Sequence, residues 1–228
     1  MQEFKSLLEV YDNVVFFDTE TTGLDPTRNE IIEIAAVSYT KKSIAEIDHF
    51  VIPNKVVRLP QEIVKLTGIT DEMVASEGLT QDEAGETFAR FIGGKKVLLV
   101  AHNANFDLGF VRYWLKGREI PEEIEFLDTL TVYKDRRPYP HKLKNAVDAY
   151  KLSGKVQNTH RAIDDVRALV EVTKAMAAER DDLMRYINLF GFNPKYGLPW
   201  PTVAGVMYRP QPFRSVMASP KSALYAFE

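Results

Sequence analysis

Asp18 and Glu20 stand two residues apart at the end of an apolar run, Val14-Val15-Phe16-Phe17. Such a run reads as a buried strand, and the two-residue period of a strand turns both carboxylates to one face of a sheet. Core packing has no use for that pair. An unpaired buried carboxylate costs several kcal/mol, so something cationic must meet these two, most simply a divalent metal.

Two further acidic segments follow. Val97 to Val100 leads into Ala101-His102-Asn103-Ala104-Asn105-Phe106-Asp107, which sets Asp107 at the start of a helix. Taken alone, that acid only offsets a helix macrodipole. The third segment, Asn158-Thr159-His160-Arg161-Ala162-Ile163-Asp164-Asp165, opens a long helix. At about 100° per residue, Ala162, Val166, Leu169, Thr173 and Met176 share one inward stripe, with Asp165 at its edge and Asp164 nearly opposite. Asp165 therefore faces the sheet and Asp164 faces water, while His160 can swing over the same site. Four converging acids repel one another by about 4 kcal/mol per close pair at a moderate dielectric, so bound cations must offset them. Oxygen ligands without cysteine favour magnesium or manganese. Two such ions about 3.5 to 4 Å apart suit phosphodiester hydrolysis, with a nearby imidazole as general base.

The elements that position these residues are legible in outline. The first strand is followed by a Gly/Pro turn and a hairpin over residues 31–39 and 43–52. Thr80 caps a helix over 81–92 that Gly93-Gly94 stops, residues 96–101 form a fourth strand, and Asn105 or a neighbour caps a helix to Lys116. A fifth strand spans 124–127, and helices follow around 128–134, 142–150 and 159–178. That order predicts a mixed α/β sheet covered by helices.

The 228 residues, 45% hydrophobic and 27% charged, suit one well-cored domain with an extension. A net charge of -3 excludes nucleic-acid binding by global positive charge and leaves a local basic strip open. The absence of cysteine removes disulfides, thiolate zinc sites and cysteine nucleophiles. No signal-like or membrane-spanning run is present, so a soluble cytoplasmic protein is the expectation. A catalytic domain over residues 12–180 and an extension over 181–228 are expected, because residues 183–227 hold five basic residues, no acid, and many prolines and aromatics. Prolines there forbid long helices and central strands, and the aromatics call for a surface to pack on, either the catalytic domain or a partner.

Asp18-Thr19-Glu20-Thr21-Thr22-Gly23-Leu24, His102 to Asp107 and His160 to Asp165 resemble the three exonuclease motifs of the DEDDh 3′-to-5′ exonucleases. This superfamily includes the proofreading subunit of bacterial replicative polymerases. Leu66-Thr67-Gly68-Ile69-Thr70 resembles a further segment found in the exonuclease insert of Gram-positive replicative polymerases, and reads more simply as a turn with a helix cap than as a substrate contact. The resemblance implies an RNase H-like fold and release of nucleoside 5′-monophosphates from a 3′ end. It also implies roles. Asp18, Glu20 and Asp165 hold one magnesium or manganese ion, Asp18 bridges to a second, Asp107 acts on the second through water, and His160 deprotonates the attacking water. Thr21, Thr22, Gly23 and Leu24 meet the terminal nucleotide, and His102 and Phe106 line the pocket and stack on a base. Plain core packing is the alternative for Leu24 and Phe106, and Arg161 meets either phosphate or an acid in an exposed salt bridge. The expected substrate is a single-stranded or frayed DNA 3′ end, with an exoribonuclease or an inactive binding module as alternatives. A polymerase or repair partner is expected at the extension.

Overall fold

The apolar run that ends in Asp18 lies in strand β1 (Asn13–Thr21), whose first five residues are all buried. Both faces of a strand are covered when helices flank the sheet on either side, which explains the unbroken apolar stretch. The computed structural model describes residues 4–156 and 160–211. Strands β2 (Ile31–Thr40) and β3 (Ile44–Phe50) form the expected hairpin, and β4 (Lys96–Ala101) and β5 (Glu123–Asp128) complete the sheet. The strand order is β3-β2-β1-β4-β5, with β1/β2 and β2/β3 antiparallel and β1/β4 and β4/β5 parallel.

Alternation along β1 feeds two cores. Val14 and Phe16 pack with Leu143, Val147, Val166 and Leu169, from helices α7 (Leu143–Ala149) and α8 (Ala162–Glu179). Val15 and Phe17 pack with Phe88, Leu108 and Trp114, from α4 (Gln81–Phe91) and α5 (Ala104–Leu115). The remaining helices are α1 (Lys5–Val10), α2 (Gln61–Thr67), α3 (Asp71–Glu77) and α6 (Thr129–Arg136). Thr80 caps α4 in a reciprocal capping box with Glu83. The Leu66 to Thr70 segment joins α2 to α3 through Gly68, at φ 73°, and through the N-cap Thr70, with Ile69 buried beneath it.

Helix α8 begins at Ala162, later than the residue 159 read from sequence. His160 adopts a left-handed backbone (φ 59°) and Arg161 is extended, so the chain turns helical only after them. Residues 158 and 159, expected to open this helix, lie outside the described residues.

Past α8 the chain returns to the sheet. Leu183, Tyr186 and Leu189 are buried in the first core and Phe190 in the second. Strands β6 (Leu189–Phe192) and β7 (Met207–Pro210) make a small parallel pair of their own. Asn188 grips the open side of β5: its N–H donates to the Phe126 carbonyl at 2.8 Å, and its side-chain oxygen accepts from the Phe126 N–H at 2.9 Å. Gln211 donates to the Thr131 carbonyl and to Asp135. Residues 212–228, which carry Arg214, Lys221 and several aromatics of the expected extension, lie outside the described residues. Among the described residues, no helix is long and apolar enough to cross a membrane.

Candidate active site

Because Val14 and Phe16 face α8, Asp18 and Glu20 continue the same row toward it. Asp165, 7% exposed, comes from the first turn of α8 to meet them. Ligand atoms of Glu20, His160 and Asp165 lie within 4.8 Å of one another. Asp18 lies within the field of Asp107, Asp165, Glu20 and Glu33. Thr19, between the two acids, points to the opposite face and reaches α5. There its hydroxyl and its N–H donate to one oxygen of Asp107, at 2.8 and 3.1 Å. Asp164 is half-buried and shares the fields of Arg161 and Arg167 instead of standing fully in water.

Burial, followed by its acidic neighbours, holds the Asp18 carboxyl well above the usual carboxylate range. Glu20 is pushed up to about 8 by burial first and by Asp165 and Glu33 next, with Arg161 opposing. Burial raises Asp107 to about 7 against the two Thr19 hydrogen bonds, which favour its charged form. A cluster of this kind fits divalent cations. Its donors are carboxylate oxygens, with one imidazole close by, an oxygen-rich set able to hold a divalent ion.

The remaining expected contacts are placed as follows. Leu24 is 83% exposed, so plain core packing does not account for it. Thr21 and Thr22 are buried, and their hydroxyls hold the turn: Thr21 donates to the Gly23 carbonyl, and Thr22 accepts from the Glu30 N–H. A β-carbon at Gly23 would come within 2.7 Å of the Asn29 side-chain amide, so any other residue there would have to displace that amide, whose oxygen accepts from the Asp25 N–H. Phe106 is half-buried with its ring 5.1 Å from Phe110. His102 is tied at both nitrogens: Nε2 donates to the His141 carbonyl (2.9 Å) and Nδ1 lies 3.0 Å from Thr129 Oγ1. Desolvation lowers its pKa and keeps the ring neutral.

Two acids at this end of the sheet escaped the sequence reading. Glu33 is 0% exposed on β2, directly opposite Glu20 in the antiparallel ladder. Its Oε1 accepts from Arg161 Nε and Nη2 (2.9 and 2.7 Å), and its Oε2 accepts from the Ala162 N–H (2.9 Å). A carboxylate from the sheet thus caps α8 in place of a local side chain. Arg161, left open between phosphate and an acid, is paired with this buried glutamate and lies 4.9 Å over the Phe50 ring. The available signal was a lone acid inside the apolar run Ile31 to Val37. Asp128, also buried, accepts from the N–H groups of Asn103, Ala104 and Leu130 and from the Thr131 hydroxyl, so it anchors the segment ahead of α5.

A stability prediction follows from the raised acids. Their folded pKa values lie above the unfolded ones, so their contribution to metal-free stability is full below the unfolded range, about pH 4. It is lost as pH rises through about 7 and 8, the folded values of Asp107 and Glu20. Divalent ions compete with those protons. The rise in melting temperature on adding magnesium is expected to be larger near pH 8 than near pH 6. Equal rises in paired thermal melts would contradict the cation assignment.

Comparison with known proteins identifies the family. An α/β sheet of this order, carrying an acidic cluster with one histidine at the end of its central strand, defines an RNase H-like nuclease fold. Residues 15–173 match the family model described as Exonuclease (RNase_T), and the chain belongs to that family, within the DEDDh 3′-to-5′ exonuclease superfamily. It is 34% identical over 186 residues to a DNA polymerase III PolC-type from Clostridium perfringens, covering 81% of this chain and 12% of that protein. It is 34% identical over 177 residues to the DNA polymerase III subunit epsilon of Treponema pallidum, covering 74% of this chain and 79% of that one. Among solved structures, Escherichia coli exonuclease I in complex with a dA16 oligonucleotide superposes with a TM-score of 0.63 at 17% identity, over 77% of this chain and 42% of that chain. The chain thus spans about an eighth of the PolC-type polymerase and most of the epsilon subunit.

Proposed function

We propose that the protein is a metal-dependent 3′-to-5′ exonuclease that hydrolyses the terminal phosphodiester of single-stranded or frayed DNA and releases nucleoside 5′-monophosphates. The observation that carries this reading is the meeting of Glu20, His160 and Asp165 within 4.8 Å, with Asp18 inside the same field. Asp18, Glu20 and Asp165 would hold one magnesium or manganese ion, and Asp18 and Asp107 a second. Ions held there would offset the charge that builds on the attacking and leaving oxygens. His160, exposed at the mouth of the cluster, takes the proton of the attacking water and passes it to solvent. Glu33 and Arg161 hold the segment that carries it, and Thr19 fixes the rotamer of Asp107. Leu24, 83% exposed in the turn after Glu20, would wedge against the terminal base. The epsilon and PolC relatives support DNA as substrate and a place beside DNA synthesis, in proofreading or repair.

The test is digestion of 3′-labelled single-stranded DNA and a matched RNA with magnesium. Mononucleotide release from DNA is expected, and inertness with both magnesium and manganese would overturn the reading. His160→Ala is expected to lower kcat about 100-fold with little change in strand affinity. Unchanged single-turnover rates in that variant would remove His160 from the role of base.

A further inference from the structure

Ahead of β7 the chain passes over the N-terminal part of α5, the helix that carries Asp107. Asn105, two residues before that acid, donates from its side chain to the Pro201 carbonyl (2.9 Å) and accepts from the Tyr208 hydroxyl (2.5 Å). The Tyr208 hydroxyl in turn accepts from the Val203 N–H (2.9 Å). One turn further along α5, a β-carbon on Gly109 would stand 3.3 Å from Pro201 Cγ and 3.5 Å from Pro26 Cγ. Pro26 belongs to the turn that follows Leu24. Pro201 and the turn after Leu24 therefore flank the same face of α5, two residues along the helix from Asp107.

On that segment the side chains face outward. Tyr196, Leu198 and Trp200 are 76%, 54% and 66% exposed, and the Lys195 ammonium lies 5.5 Å from the Tyr196 ring centre. Large aromatics held in water on a short, proline-bounded loop have no packing role of their own. From Leu183 to Phe227 the sequence holds five basic residues and no acid, in a chain whose net charge is -3. Aromatic faces beside cations, next to a phosphodiester-cleaving site, match the requirements of an unpaired strand: a π surface for the bases and positive charge for the backbone.

We propose that Tyr196 and Trp200, with Lys195, form a stacking platform for the single-stranded nucleic acid that leads into the active site, binding nucleotides upstream of the one being removed. This rests on the exonuclease reading above and extends it to the track the strand follows. The fit is to single-stranded nucleic acid in preference to a protein, because the platform is tied directly to the catalytic helix through Asn105 and lies in a segment without acids.

The experiment compares binding of a fluorescent deoxyoligonucleotide about three nucleotides long with one of about twelve, in EDTA so that nothing is cut. The wild type is expected to hold the longer strand more tightly, and Tyr196→Ala with Trp200→Ala to lower that ratio about tenfold or more. A general folding defect would weaken both strands and leave the ratio in place. A second readout uses the two tryptophans, since Trp114 is buried and Trp200 exposed. In a Trp114→Phe background, the longer strand is expected to quench the remaining emission and the short one to leave it. An unchanged ratio together with no quenching would overturn the platform and make a protein partner its better occupant. Hydrolysis of labelled DNA by the wild type is measured alongside, so a failure of the exonuclease reading appears as absent cleavage, separately from the binding result.

Discussion

Asp18→Asn is expected to lower kcat by about 10³-fold or more and, at the same time, to raise the melting temperature of the metal-free protein. The two effects share one cause. Asp18 sits among Asp107, Asp165, Glu20 and Glu33, and burial with their charges lifts its pKa far above the ordinary value. Without cations the folded state carries that repulsion, and a neutral amide of the same shape removes it. Relief of a strained functional site commonly returns about 0.5–2 kcal/mol. The gain should grow with pH, because at low pH the wild-type carboxyl already holds its proton. The loss of rate follows because a ligand shared by both proposed ions is gone, and cation stabilisation of a phosphoryl transition state supplies several kcal/mol, at about 1.4 kcal/mol per tenfold. Thermal melts in EDTA and in magnesium, beside turnover measurements, check both halves. A variant less stable than wild type in EDTA would show that Asp18 is not held against its neighbours.

Glu33→Ala is expected to produce the largest loss of stability. Removing one partner of a buried ion pair costs about 3–5 kcal/mol, and the 31% exposure of the Arg161 side chain puts the expectation near the lower end. The Ala162 N–H loses its acceptor as well, a loss comparable to deleting a helix cap, about 1 kcal/mol. A partial offset comes from Glu20, which no longer faces a second carboxylate across the ladder. Turnover should fall with stability, since Arg161 adjoins His160 and would no longer be anchored. Glu33→Gln keeps the shape and one acceptor oxygen, so it should recover much of the stability and part of the rate. Urea denaturation midpoints and kcat for the pair of variants decide the matter. Equal stability of Glu33→Ala and wild type would remove the pair from its structural role.

The spacing of Asp18 and Glu20 and the turn of α8 that puts Asp165 inward were readable because each depends only on local periodicity. The five strands of the sheet were readable for the same reason, with ends displaced by at most two residues. Glu33 was not, because its meaning lies in Arg161, far along the chain, and inside Ile31 to Val37 it looked like one polar residue in a hairpin. The same contact explains the misplaced start of α8: a helix whose first N–H is satisfied from the sheet leaves no cap signature in its own sequence. Thr21, Thr22 and His102 were named as ligand contacts through the family resemblance alone, and no local pattern foretold the hydrogen bonds that they make within the protein. That the segment past residue 183 needs a surface was readable from its aromatics, but the manner of its return to the sheet was not, since its strands are four residues each and its grip depends on Asn188 and Gln211.

That grip has a consequence for handling the molecule. With Asn188 taking both main-chain groups of Phe126, the outer border of the parallel half of the sheet is interrupted at its middle, where it would otherwise offer an N–H and a carbonyl to another chain. A version cut back to end at α8 would expose that border together with the apolar ground beneath Leu189 and Phe190. Its first fault would be self-association and precipitation, which a simple activity assay would mistake for a lost catalyst.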